Sequence, residues 1–419
     1  RIMSNLLSKA SILLTPTSFE ASKLMCVKPN TSTGDFTFTR ATTAFTRVNS
    51  SGLIESVGAN VPRIDFLGGT GHVLLEPQST NTATYSNDFT QGDIFNGSGN
   101  PSLTGSVLSS NQGIAPDGTN TAQKLIDNND GSSGSVAINF FSTNLTSDQS
   151  STISIFAKKD GAKVLRINMT GFDSGNQAFF DLENGTKSGT LFSTIEDYGN
   201  GWFRCSVSIT TTTDTQGAIL FNVCSDSNQT SITRDGTKSL LLWGMQSEES
   251  SFPTSYIPTS GTTVTRNKDE ANGSGDTSLI NSTEGVLYAE IAALENSGNK
   301  RFITLSDGSG QNIVTIGYIP TVDRIRVFIK SGNTTQVNDV STEATVTNFN
   351  KIAVKYKEND FSLYVNGTET VSDTSGSTPI GLNELEFEQA SGNLFEGKVK
   401  CIAVFKEALT DAQLISLTS

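Results

Sequence analysis

Short runs in which apolar and polar residues alternate, each closed by an asparagine or glycine turn, recur along most of the chain. Thr152-Ile-Ser-Ile-Phe-Ala157 and Lys163-Val-Leu-Arg-Ile-Asn168 have the period of two that puts one face of a strand inward and the other outward. Gln177-Ala-Phe-Phe-Asp-Leu182 runs into Glu183-Asn-Gly185, and Phe361-Ser-Leu-Tyr-Val365 into Asn366-Gly367. Asn-Gly is the strongest short hairpin signal, because both residues tolerate the left-handed backbone that a tight turn needs. A chain patterned this way folds as antiparallel sheets. Composition agrees: 38 Gly, 24 Phe and only 17% charged residues fit neither a coiled coil nor a disordered chain.

At 419 residues the chain is long enough for about three units. Residues 1–80 hold few apolar runs and read as an N-terminal attachment segment. They include the apolar patch Leu6 to Leu14, the strand Phe36-Thr-Phe-Thr-Arg40 and the strand His72-Val-Leu-Leu-Glu76. Residues 81–268 carry strand signals at the spacing of a jelly roll, among them Trp202-Phe-Arg-Cys-Ser-Val-Ser-Ile209, Gly217-Ala-Ile-Leu-Phe-Asn-Val223 and Ser239-Leu-Leu-Leu-Trp-Gly-Met-Gln246. Residues 269–283, with two glycines and no large apolar residue before Leu279, read as a linker. Residues 284–419 form a second sandwich. A helix closes it, with Thr410 as N-cap, Asp411 in its first turn and Leu414 and Leu417 on one face.

Several function classes are excluded by simple counts. The net charge of −13 argues against nucleic acid, since phosphates call for a basic stripe. Residues 1–80 carry 7 basic and 5 acidic side chains, a net +2, so the acidity lies in the rest of the chain. The chain has one histidine, His72, which rules out a two-histidine metal site. No G-x-S-x-G elbow is present to join it in a hydrolase triad. Cys26, Cys205, Cys224 and Cys401 include no C-x-x-C pair, so zinc is not expected. Buried free thiols in a reducing cytoplasm are the simplest reading, and the even count leaves a disulfide open. No apolar run approaches the ~20 residues of a membrane helix, so no membrane insertion is expected.

Phe361-Ser-Leu-Tyr-Val-Asn-Gly367, Phe395-Glu-Gly-Lys-Val-Lys-Cys-Ile-Ala-Val-Phe405 and Ala408-Leu-Thr-Asp-Ala-Gln-Leu414 resemble the laminin-G-like, concanavalin A-like sandwich, in the family's order of strand, turn and closing helix. The middle of the chain resembles a jelly roll of bacteriophage virion proteins, akin to carbohydrate-binding modules. The matching stretches include Tyr85-Ser-Asn-Asp-Phe89, Gly199-Asn-Gly-Trp-Phe-Arg-Cys205, Leu242-Trp-Gly-Met-Gln246 and Pro253-Thr-Ser-Tyr-Ile-Pro-Thr259. With Phe36 to Arg40, Ala59 to Asp65 and Leu74 to Ser79, the resemblance spans nearly the whole chain. It implies an all-β structural protein of a phage virion, a fibre or spike assembled in the bacterial cytoplasm. Residues 1–80 would meet other virion proteins, the β modules would face cell-surface polysaccharide, and the homotrimer usual for phage fibres would give weak sites avidity.

Three aromatic residues are candidates for stacking on a sugar: Trp202 at the start of a strand, and Tyr198 and Tyr256 in loop-like sequence. The alternative for Trp202 is a place in the core. Asp307 and Asp323 are candidate calcium ligands by resemblance to laminin-G-like rims, although Ca²⁺ takes 6–8 oxygens and Asp-Gly is first a turn signal. Glu384-Leu-Glu-Phe-Glu388 places Glu384, Glu386 and Glu388 on one strand face. Some concanavalin-like glycanases carry a similar acidic strand, with the outer carboxylates as nucleophile and acid–base. Here Glu386 replaces that family's Asp, and a solvated strand face accounts for the alternation equally well. The expectation is a non-enzymatic glycan-binding appendage without a cofactor. The alternatives are a purely structural head-fibre or decoration protein, and a glycanase using Glu384 and Glu388.

Overall fold

The computed structural model describes residues 6–419 apart from 43–44, 93, 96–97, 174–175, 297–300, 320–321 and 390–391. The fold is all-β, as expected: two sandwiches and one closing helix, Asp411–Thr418. Thr410 caps that helix in a full capping box, with its side chain accepting from the Gln413 N–H and the Gln413 side chain accepting from the Thr410 N–H.

The jelly roll stacks two six-stranded antiparallel sheets. One runs in the order Ser102–Thr104, Ala137–Asn144, Gln216–Cys224, Val164–Thr170, Gln177–Asp181, Thr186–Gly189. The other runs Ser106–Gly113, Ala122–Asp127, Ser239–Glu248, Ser150–Lys159, Trp202–Thr210, Phe192–Asp197. The inward residues of both faces, among them Phe140, Ile155, Phe180, Cys205, Phe221 and Leu242, make one apolar core. Phe192–Asp197 is an edge strand of the second sheet.

The second sandwich is built from both ends of the chain. Its larger sheet runs Thr368–Asp373, Phe361–Val365, Asn350–Lys357, Glu284–Ala293, Gly397–Phe405, His72–Leu75, Ile64–Asp65. Two early strands lie end to end along the same edge of Gly397–Phe405. Ile12–Leu14 pairs with residues 402–404, and residues 73–75 pair with 397–399. The facing sheet has five strands: Thr334–Val340, Ile325–Ser331, Ile313–Tyr318, Arg301–Ser306 and Glu384–Glu386. The Asn366-Gly367 hairpin forms as its sequence predicts, with φ of +49° and +85° at the two turn residues.

This pairing corrects the reading of residues 1–80 as a thin, separate segment. Leu24, Phe36, Phe38, Val73 and Leu75 are buried in the same core as Ile303, Leu363 and Val404. Leu6, Ala10 and Leu13 pack with Leu414 and Leu417 of the closing helix. The segment lacks a core of its own because most of its apolar residues belong to a core that the last third of the chain completes, while Val48 and Ile54 pack with Phe156, Trp202 and Trp243 of the jelly roll. The linker reading of 269–283 is corrected as well. Glu270–Asn272 pairs with residues 37–39, Asp269 is buried, and Ile280 lies in the core.

The jelly roll is therefore an insertion into the second sandwich. The chain leaves through Ser79–Asn81 and returns through Val264–Arg266, and these two segments pair with each other as a two-stranded neck. At its foot lies a buried ionic cluster. Arg40 reaches Asp269 at 2.8 Å, Arg63 bonds both Glu76 and Asp269, and Arg266 bonds Glu76. Ser255 donates to Glu76 from its backbone N–H and its hydroxyl, each at 2.7 Å. Burial alone would push Glu76 toward neutrality, but Arg266 and Arg63 hold its carboxyl well below the usual carboxylate range. Burial also lowers Arg40 to about 10, against the pull of Asp269. All four cysteines are free and buried.

Candidate functional site

Where the jelly roll meets the second sandwich, a cleft runs along the seam. Its inner end is a cavity of 280 Å³. One wall comes from the jelly roll: Thr194, Glu196 and Tyr198 on and just beyond the edge strand, Arg204 beside it, and the loop Phe252 to Ser255. The other wall comes from the second sandwich: Asp65, His72 and Leu74 on the early strands, with Leu294 and Lys398. The cavity continues outward into a groove of 620 Å³ through the shared residues Thr194, Phe252 and Leu294. Phe192, Ser150, Ser208, Thr210, Ser251, Glu295, Asn296 and Thr347 line that outer groove.

The edge strand supplies this wall by its alternation. Phe192, Thr194 and Glu196 are two residues apart and share a face, and Tyr198 continues their parity past the strand end. Phe192 stands 69% exposed, an unusual position for a phenylalanine side chain. Ser251 Oγ donates to Glu295 Oε2 across the seam at 2.6 Å, which ties the groove walls together.

The inner end is polar and electrostatically tense. His72 is 1% exposed; its Nδ1 lies 3.2 Å from the Thr70 carbonyl, and its Nε2 has no hydrogen-bond partner. Asp65 stands 3.7 Å from that Nε2, but its two oxygens already accept from the backbone N–H groups of Leu67 and Val48, each at 2.8 Å. Burial lowers the His72 pKa, Asp65 opposes that, and Lys398 and Lys400 add to it, so the ring is neutral near pH 7. Burial raises Glu196, while Lys398 and Arg204 pull it back. Burial, and then the charge of Glu196, also raises the Tyr198 hydroxyl, while the charge of Arg204 opposes them. Arg204 itself is anchored, donating to the Thr254 carbonyl at 2.5 Å and to Ser154 Oγ at 3.0 Å.

Of the three aromatic candidates, Tyr198 alone lines the cleft. It is half-buried, its ring edge-on to Phe156 at 4.8 Å. Trp202 is 2% exposed and donates its indole N–H to the Ile114 carbonyl at 3.1 Å. Tyr256 is 3% exposed, stacks with Trp243 at 4.7 Å and hydrogen-bonds Ser86 and Asn87 through its hydroxyl. Neither ring presents a face to solvent, so the candidate roles of Trp202 and Tyr256 are corrected to core roles. Tyr256 reads as a loop residue in sequence, but its loop folds back over the jelly-roll sheet. Phe192 was the residue the sequence reading missed. Its signal was the spaced series Phe192, Thr194, Glu196, Tyr198, visible only if this stretch is taken as an edge strand.

Asp307 and Asp323 sit in hairpins at opposite ends of the strand Ile313–Tyr318, which strand rise places roughly 17 Å apart. Asp307 accepts from Ser309 and Asn312 within its own turn, and Asp323 accepts from the Val346 N–H at 3.1 Å. They do not form one calcium site, a correction to the pairing drawn from the family resemblance. Among the described residues no group of three or more His, Cys, Asp or Glu is placed to hold a metal.

Leu385 and Phe387 enter the core, and Glu384, Glu386 and Glu388 are half-buried beside one another. Burial, then the neighbouring Glu384 and Glu388, raises Glu386 to about 7. Ser306 Oγ donates to it at 3.3 Å, and Asn272 donates to Glu388 at 2.8 Å.

Residues 275–415 match the family model described as the concanavalin A-like lectin/glucanases superfamily. No curated protein matches the chain. Among solved structures it is similar to the CBM40 of the Ruminococcus gnavus IT-sialidase bound to α2,3-sialyllactose, at 14% identity and a TM-score of 0.29 over 35% of this chain and 94% of that one. It is similar to domain 4 of AbnA, a GH43 extracellular arabinanase from Geobacillus stearothermophilus in complex with arabinotriose, at 12% identity and a TM-score of 0.30 over 36% of this chain and 73% of that one. It is also similar to domains LG4-5 of the mouse laminin α1 chain, at 12% identity and a TM-score of 0.23 over 66% of this chain and 89% of that one.

Proposed function

We propose that this protein is a non-enzymatic glycan-binding protein of a bacteriophage particle, a fibre or spike, and that the seam cleft is where the glycan lies. The carrying observation is Phe192. It is a large apolar ring held out to solvent on an edge strand, in a groove that Ile209, Phe252 and Leu294 line together with hydroxyls, an amide and a carboxylate. A sugar has the matching chemistry: an apolar face of C–H groups to lie on the ring and a rim of hydroxyls for the polar wall. The phage assignment rests on the sequence resemblance, as does assembly into a homotrimer on the virion. Contact of residues 1–80 with other virion proteins would fall on their exposed side, since their apolar residues are buried within this chain. A glycan array with the intact protein and Phe192→Ala tests the binding. Defined glycans retained by the first and lost by the second support it, and a flat array for the intact protein overturns it.

A second reading draws on Glu386, whose carboxyl at about 7 has the proton affinity of a general acid near neutral pH. It would make the acidic strand a glycanase site with Glu384 and Glu388. Release of reducing ends from bacterial polysaccharide, abolished in Glu384→Gln and Glu388→Gln, would establish it. No release across a panel of polysaccharides would dispose of it.

A further inference from the structure

The outer groove does not account for the polar groups at the inner end of the seam. His72 lines the 280 Å³ cavity, and its buried Nε2 lacks a hydrogen-bond partner among the described residues. Glu196 and Lys398 line the same cavity from opposite modules, and among the described residues no ion pair within 4.0 Å joins them to each other or to a third group. Buried or half-buried polar groups of this kind are stable when something that can both donate and accept stands among them. Leu67, Leu74, Pro253 and Leu294 add apolar surface, and the hydroxyl residues Thr194, Thr254 and Ser255 line the cavity as well.

The charges of the side chains that line the cavity balance. Lys398 and Arg204 face Asp65 and Glu196, His72 is neutral, and the further carboxylate, Glu76, is held by its two arginines. An anionic ligand would meet Glu196 and Asp65 without a surplus cation to offset them, and a cationic ligand would meet Lys398 and Arg204. A neutral polyol meets neither penalty. Its hydroxyls can donate to Glu196 and to the unprotonated Nε2 of His72 and accept from Lys398, while its C–H faces rest on the leucines.

Building on the glycan-binding reading of the seam, we infer that its inner end is a subsite for the uncharged terminal sugar of a neutral glycan, held through its hydroxyls by Glu196, Lys398 and His72. The outer groove then carries the following residues of the glycan past Phe192. Because the cavity walls belong to two modules, the subsite exists only while the neck and the ionic cluster hold them together.

His72 offers a direct probe, since the only histidine in the chain gives imidazole NMR signals that need no assignment. The intact protein is titrated with glucose, galactose and mannose, and separately with glucuronate and galacturonate. One or more neutral hexoses are expected to move the His72 resonances saturably, with the uronates weaker. Glu196→Gln and Lys398→Met, each checked for unchanged circular dichroism, are expected to weaken that response about tenfold, as loss of a charge-assisted hydrogen bond does. No movement of His72 with any hexose, while the array still shows glycan binding, overturns the subsite and leaves the groove reading standing. Tighter binding of a uronate than of every hexose overturns the assignment to neutral sugars. A flat array together with a saturable hexose response would instead remove the groove reading and keep the subsite.

Discussion

Arg266 and Glu76, 190 positions apart in the sequence, bond to each other at the foot of the neck through which the jelly roll enters and leaves the second sandwich. Glu76 also holds Arg63, and Arg63 holds Asp269, so the first strands, the returning chain and the loop at Ser255 are fixed by one buried network. The cleft lies beside this network and shares Glu76 and Ser255 with it. The seam is thus a constructed joint, with its geometry set by ion pairs that exclude water.

Breaking that network should cost more than removing any surface pair. Asp269→Asn leaves Arg40 and Arg63 without their shared carboxylate charge, and a buried charge stripped of its partner typically costs about 3–5 kcal/mol. Urea unfolding should register a drop of that order. Acid should act the same way. The folded pKa of Glu76 lies below its unfolded value, so its contribution is complete above the unfolded pKa and is lost as pH falls below about 4.5 toward the depressed folded value.

Phe192→Ala should separate binding from folding. The ring is 69% exposed, so its removal should change stability by no more than about 0.5 kcal/mol. Loss of a stacked aromatic should weaken glycan binding roughly five- to tenfold, in line with the ~1 kcal/mol such contacts contribute. A thermal melt and a binding isotherm on the same preparation check both halves.

Trp202→Ala should do the reverse. The indole fills a cluster with Phe156, Trp243 and Tyr256 and carries a hydrogen bond to Ile114. Its truncation should destabilise the jelly roll by about 3–5 kcal/mol. Below the melting transition, glycan affinity should stay close to that of the intact protein, as measured by calorimetry.

The acidic strand should make the protein more stable in mild acid. The folded pKa of Glu386 is raised to about 7 from an ordinary 4.5, so the folded state binds a proton that the unfolded state does not. Stability gains from this group as pH falls from 7 to 4.5, and the gain is absent above pH 7. Solvent screening of this half-buried group limits the effect to on the order of 1 kcal/mol. His72 works oppositely: its pKa is lowered on folding, so its contribution is full above about 6.5 and declines as pH falls below that value. Going from pH 8 to pH 5, the urea midpoint of the intact protein should shift upward relative to the shift in Glu386→Gln.

Where a strand is rich in apolar residues and a local turn bounds it, the sequence alone is enough to place it. Phe361–Val365, Ile313–Tyr318 and Gly397–Phe405 fall where alternation and turn residues put them, and Thr410 caps the last helix through contacts three residues away. Polar edge strands such as Ser106–Gly113 and Phe192–Asp197 escape this reading, because a strand with little buried surface has no apolar alternation to display. Tertiary structure alone decided the rest. Ile12–Leu14 and His72–Leu75 pair with a strand more than 300 residues onward, and no local pattern specifies a partner at that distance. The same long-range closure brought Arg40, Arg63 and Arg266 to Glu76 and Asp269, and set Phe192 and Glu196 opposite Lys398 and His72. Hydrophobic periodicity and turn chemistry act over a few residues and fix strands. A site assembled from two modules exists only once non-local pairing has paid the entropy of closing the chain on itself.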